Sequence, residues 1–146
     1  MQIKDIMSRT VDMVDPNTTI RDAAVKMRDD NVGALPVGEN DRLVGMVTDR
    51  DIAVRAVAEN RAPGTTSVRD VMSQRVAFCY ENNDVEEAAH VMADHKIRRL
   101  PVLNSDKRMV GIVAMADLAR SDGPALEAAK EALKGVSESM NAPRVM

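Results

Sequence analysis

The stretch GMVTDRD, Gly45 to Asp51, returns as GIVAMAD, Gly111 to Asp117. Each follows an apolar, hairpin-like stretch and leads into a short helical pattern. The first copy has Thr48 where the second has Ala114, while Asp51 and Asp117 stand in both. The flanks repeat as well. IKDIMS from Ile3 matches VRDVMS from Val68, TIRDAAVKM from Thr19 matches DVEEAAHVM from Asp84, and LPV from Leu35 matches LPV from Leu100, all 65 residues apart. The two glycines are 66 apart, so the second hairpin loop holds one extra residue. The chain is a tandem duplication. Repeat 1 covers residues 1–60, a Pro- and Gly-bearing linker 61–67, repeat 2 residues 68–120, and a C-terminal helix and tail 121–146.

Each copy has the same order of elements. A short amphipathic lead-in precedes an extended segment, Val11 to Val14 in one copy and Val76 to Tyr80 in the other. A helix follows, with apolar residues at helical spacing: Ile20, Ala23, Ala24 and Met27, matched by Val85, Ala88, Ala89 and Met92. Both helices open on a capping pattern, Thr19 with Asp22 and Asp84 with Glu87. Two strands come next, joined by GENDR and NSDKR, whose residues suit hairpin turns. A second helix closes each copy. Beyond Arg120, ALEAAKEALK places Leu126 and Leu133 on one helical face. A three-strand layer with two helices leaves one sheet face open, and repeats of this size are marginal alone. The expected fold is therefore α+β, two β-α-β-β-α repeats packed sheet to sheet with pseudo-two-fold symmetry and two related clefts.

Composition narrows the function. Of the 146 residues 45% are hydrophobic but only 1% aromatic, so the core is built from Val, Ile, Leu, Ala and the 11 Met. A net charge of −3 with interspersed signs offers no basic stripe for a phosphate backbone, which disfavours nucleic acid. No apolar run approaches the roughly 18–20 residues of a membrane span, and MQIKDIMSRT is too charged for a secretory signal. Cys79 has no partner for an internal disulfide. A cytoplasmic setting is expected.

Thr48 and Asp51 at a helix start form a capping box on spacing alone. Alanine is among the poorest N-caps, so the second copy discards the cap at Ala114 yet keeps its acid. That persistence suggests a second use for the carboxylate. Its two oxygens can accept from both hydroxyls of a ribose, and the adjoining helix N-terminus tolerates phosphate.

Two copies of lead-in, strand, helix, LPV hairpin and Gly-x-x-Thr-x-x-Asp resemble a tandem pair of CBS domains, the family named after cystathionine β-synthase. The resemblance spans Ile3 to Arg120. It implies a homodimer and a sensor of adenosine-containing ligands such as AMP, ADP, ATP, NAD or S-adenosylmethionine, with no cofactor required. It also implies that each ligand site draws on both copies. One site then combines Thr48, Asp51, Val76 and Ala77 with Arg98 and Arg99, whose guanidinium forks suit phosphate. A second, weaker site has Asp117, Thr10 and Val11, with Arg50 as its phosphate partner.

Catalysis has little support. His90 and His95 are five apart on a helix, not the three or four that share a face. Cys79 sits between Phe78 and Tyr80 as a buried strand thiol would. The DRD of Asp49 to Asp51 lacks the rest of a calcium loop, and no P-loop or nucleophile elbow appears. A regulatory module that binds an adenosine ligand is the leading reading, acting on an effector protein in trans because no fused effector domain is evident. A nucleotide-independent assembly module is the alternative. A nucleotide hydrolase or transferase ranks last, for want of a general base.

Overall fold

Ile3 and Met7, like Val68 and Met72, are apolar residues on lead-ins too short to bury them unaided. A computed structural model, which describes residues 1–10 and 12–120 and singly Glu127, Lys130 and Lys134, shows where they go. The chain divides into two compact units, Met1–Val11 with Ala77–Met146, and Asp12–Val76. Each unit joins the body of one repeat to the lead-in of the other. Val11 and, those three positions apart, the C-terminal helix and tail read over 121–146 lie outside the described residues.

In the Asp12–Val76 unit, helix α1 (Ile20–Asp30) is followed by strands β1 (Ala34–Glu39) and β2 (Arg42–Thr48). The short helix α2 (Asp49–Ile52) then runs into a π-helical turn, Ala53–Val57. Thr19 Oγ1 accepts the Asp22 N–H at 3.2 Å, the hydroxyl half of the box read from the sequence. Ile20, Ala23 and Met27 are buried, but Ala24 is exposed, so the apolar stripe is narrower than its spacing implied. β1 and β2 pair antiparallel through a two-residue turn, Asn40 and Asp41, both at positive φ. Asn and Asp tolerate that geometry better than most side chains. The expected third strand is reduced to a single parallel bridge, Val14 to Val37.

The other unit holds β3 (Cys79–Tyr80), α3 (Val85–His95), β4 (Arg99–Leu103), β5 (Met109–Ala114) and α4 (Met115–Ala119). Its sheet has three strands, with β3 parallel and β5 antiparallel to β4. Asp84 makes no side-chain cap to α3. Glu87 N–H instead bonds the Asp84 backbone carbonyl at 3.0 Å, which corrects the expected box. The extra loop residue is visible, since Gly38 pairs with Leu43 and Leu103 with Met109.

The exchanged lead-ins are held by matching backbone bonds. Val68 N–H donates to Thr18 O at 2.8 Å and Arg69 N–H to Pro16 O at 2.9 Å. In the other unit, Ile3 N–H donates to Asn83 O and Lys4 N–H to Glu81 O, both at 2.9 Å. Carbonyls before each lead-in also serve the first N–H groups of the helix, which have no partner within it. Ile20 N–H takes Thr66 O at 2.9 Å, and Val85 N–H takes Met1 O at 3.1 Å. Val68, Val71 and Met72 join the core of Ile20, Leu35, Val37 and Val47, while Ile3 and Met7 join that of Met92, Leu100, Val102 and Leu118.

Each lead-in ends against a glycine. Ser73 and Met46 exchange both backbone hydrogen bonds at 2.9 Å, one residue past Gly45, and Ser8 and Ile112 do the same at 2.8 and 2.9 Å past Gly111. A Cβ on Gly45 would lie 2.8 Å from Met72 Sδ and 2.9 Å from Ser73 O. On Gly111 it would collide with Ser8 O and lie 2.9 Å from Met7 Sδ. Gly45→Ala and Gly111→Ala are each expected to lower unfolding free energy by about 1–3 kcal/mol in denaturant titrations. Gly64→Ala, with nothing within 4 Å of its added Cβ, is expected to stay within about 0.5 kcal/mol of the parent.

Candidate functional site

The repeated turn forms where β2 or β5 ends on an extended residue and the chain enters a helix. Thr48 sits at φ −116°, ψ 162°, and its Oγ1 accepts the Asp51 N–H at 3.0 Å. In return Thr48 N–H donates to Asp51 Oδ2 at 2.9 Å. Both halves of the capping box are therefore made. Asp49 N–H bonds Gly33 O at 2.9 Å, and Thr48 pairs with Ala34, which seats the turn on the start of β1.

The second turn keeps half of this. Ala114 N–H donates to Asp117 Oδ2 at 2.8 Å, and no side chain caps the helix in return. Met115 N–H bonds Arg98 O at 2.8 Å, and Ala114 pairs with Arg99. The survival of Asp117 without a hydroxyl thus has a local cause. Its carboxylate still satisfies a backbone donor that the threonine never served. Persistence of the acid is not in itself a sign of a ligand.

Each carboxylate turns its other oxygen toward an arginine. Arg55 Nε lies 3.9 Å from Asp51 Oδ1, and Arg120 Nη2 bonds Asp117 Oδ1. The acids are mostly covered, with side chains 17% and 13% exposed. Arg55 reaches further: Nη1 donates to Val71 O and Met72 O at 3.3 and 3.4 Å. Neither arginine was singled out from the sequence. Arg55 stands four residues after Asp51 on a helix, a spacing that favours ion pairs, but its carbonyl partners carry no sequence signal.

The expected site residues fall as follows. Thr48, Asp51 and Val76 share the Asp12–Val76 unit, with Val76 three residues past the Ser73 bridge to β2. Ala77, Arg98 and Arg99 belong to the other unit, and both arginines are exposed. Asp117 shares that unit with Thr10, two residues past the Ser8 bridge to β5. Arg50, exposed, lies in the Asp12–Val76 unit, and Val11 lies outside the described residues.

Other chemistry is sparse. Cys79 is buried, its thiol 3.8 Å from Pro101 O, and burial with the nearby Glu87 charge pushes its pKa up to about 12. His90 and His95 are exposed, and His95 Nδ1 lies 3.0 Å from Val91 O. Among the described residues no three of His, Cys, Asp and Glu gather as a metal site, and no helix is long and apolar enough to cross a membrane.

The difference between the turns is measurable. Thr48→Ala removes the hydroxyl half of its box and is expected to cost about 0.5–2 kcal/mol of stability. Ala114→Ser restores the missing half and is expected to add up to about 1 kcal/mol. Equilibrium unfolding of both variants checks the pair.

Comparison with known proteins agrees with the duplication. The CBS domain family profile matches residues 3–57 and again residues 68–123. The CBS domain-containing protein YhcV of Bacillus subtilis is 48% identical over 117 residues, covering 80% of this chain and 82% of that protein. Among solved structures, Hypoxic Response Protein I with two coordinated zinc ions superposes at a TM-score of 0.73 and 38% identity, covering 82% of this chain and 98% of that one. The CBS domain pair of protein MJ0100, in complex with 5′-methylthioadenosine and S-adenosyl-L-methionine, does so at 0.69 and 30%, covering 82% and 98%. Two profile matches and a shared fold place this chain in the CBS-domain family, as a tandem pair.

Proposed function

We propose that the chain is a regulatory module that binds an adenosine-containing ligand through the Thr48–Asp51 turn and passes the bound state to a partner. The supporting observation is the Asp51 carboxylate. One oxygen is fixed by its own backbone, and the other faces a guanidinium at 3.9 Å, leaving lone pairs for a ribose diol. A CBS pair 30% identical to this chain holds two adenosine-containing molecules, which supports the ligand class. AMP, ADP, ATP, NAD and S-adenosylmethionine share the part Asp51 would recognise. Val76 and Ala77 are assigned to the same site, and Arg98 and Arg99 are assigned the phosphates. Asp117 with Thr10, Val11 and Arg50 is the weaker second site. Homodimerisation, a cytoplasmic setting, an effector regulated in trans and the absence of catalysis belong to the same proposal.

A second reading, an assembly module without nucleotide, draws on two observations. Both acids already have structural work in their own turns, and Val54 and Val57 present apolar side chains 48% and 69% exposed beside α2.

Calorimetric titration of AMP, ATP, NAD and S-adenosylmethionine separates the two. At least one ligand is expected to bind saturably, to raise Tm as a native-state ligand must, and to lose affinity at least about tenfold in Asp51→Ala. Arg98→Ala with Arg99→Ala is expected to weaken ATP more than adenosine. No heat and no Tm shift with any of the four, from folded protein, would favour the assembly module.

A further inference from the structure

Arg55 joins two places that the sequence keeps apart. It lies in the π-helical turn Ala53–Val57, with its guanidinium between the Asp51 carboxylate and the backbone carbonyls of Val71 and Met72. Those carbonyls belong to the second repeat's lead-in, which is fixed at Ser73 by its paired bonds to Met46. The Asp51 side chain is 17% exposed and Arg55 54%, so the carboxylate is largely covered while the arginine keeps one side in water.

We propose that Arg55 is a positioning residue for the ligand-binding acid, an inference that rests on Asp51 being the ribose acceptor. A carboxylate held at one oxygen can still swing about its Cβ–Cγ bond. Here Thr48 N–H holds Oδ2 at 2.9 Å, and Arg55 draws Oδ1 from the other side. The guanidinium is itself anchored, because Nη1 donates to two carbonyls of a segment bonded to β2. One hydrogen bond and one longer-range ion pair bias the plane of the carboxylate, and with it the direction of the lone pairs offered to a vicinal diol. A lysine supplies the charge without the planar fork that holds carboxylate and carbonyls together. Arg120 presents no equivalent anchor among its described bonds and is 75% exposed, so diol selection is assigned to the Asp51 turn.

The test compares adenosine with 2′-deoxyadenosine by NMR titration of wild type, Arg55→Gln, Arg55→Lys and Asp51→Ala, with folding of each checked by its melting curve. Wild type is expected to prefer adenosine by about tenfold, the loss of one hydrogen bond to a charged group. In Arg55→Gln that ratio is expected to fall toward unity through weaker adenosine binding, while 2′-deoxyadenosine affinity holds. Arg55→Lys is expected to fall between, and it carries the comparison if the Gln variant does not fold. A wild-type ratio in both variants, or an equal loss for both nucleosides, overturns the positioning role. No preference in wild type, or a preference that survives Asp51→Ala, is a different failure: it removes Asp51 as ribose acceptor and the inference with it.

Discussion

A pair of reciprocal backbone hydrogen bonds, made over a glycine, underlies the rest of this structure. Ser73 bonds Met46 beyond Gly45, and Ser8 bonds Ile112 beyond Gly111. The missing Cβ lets the lead-in of one repeat lie against the last strand of the other. That contact buries Val68, Val71 and Met72 in one core and Ile3 and Met7 in the other. It also brings the chain past each strand shortly before that strand delivers its acid. Hydrophobic burial of this kind stabilises by about 1.5–3 kcal/mol per large side chain, so the exchange is central to each small unit's core.

The acid at the end of the strand then serves its own helix first. Asp51 and Asp117 both accept the N–H three residues back, and the threonine adds its hydroxyl in only one copy. Duplication therefore preserved the half of the cap that fixes the strand-to-helix corner and let the other half diverge. A carboxylate held this way is pre-oriented, and pre-orientation lowers the ordering cost of binding. Structural and recognition roles can coexist in one side chain, which is why the Thr-x-x-Asp spacing alone did not separate them.

Much of the fold was legible because its elements are encoded locally. The repeat, helical spacing on α1 and α3, and the polar hairpin connectors each depend on residues near in sequence. What was not legible is non-local or energetic. Ala24 fits the apolar period yet stays exposed, and Asp84 fits a cap yet leaves the work to its backbone carbonyl. The third strand beside β1 shrinks to one bridge at Val14, although the segment stands at the matching position of its repeat. At the site, Thr48 and Asp51 were readable from spacing, and Arg55 was within reach as a helical neighbour. Its tie to Val71 and Met72 was not, because backbone carbonyls are the same in every sequence. The exchange of lead-ins was hidden for a related reason: each lead-in resembles its counterpart, and the likeness does not say which repeat it joins.

Native-state hydrogen exchange tests that exchange most directly, since amide protection reports which segments open together. If the lead-ins are integral to the units described, the amides of Ser73 and Met46 exchange at a common slow rate matching the rest of β2, and those of Ser8 and Ile112 match β5. Fast exchange at Ser73 and Ser8, with β2 and β5 still protected, would show the lead-ins to be loosely attached and contradict the glycine-seated bridge.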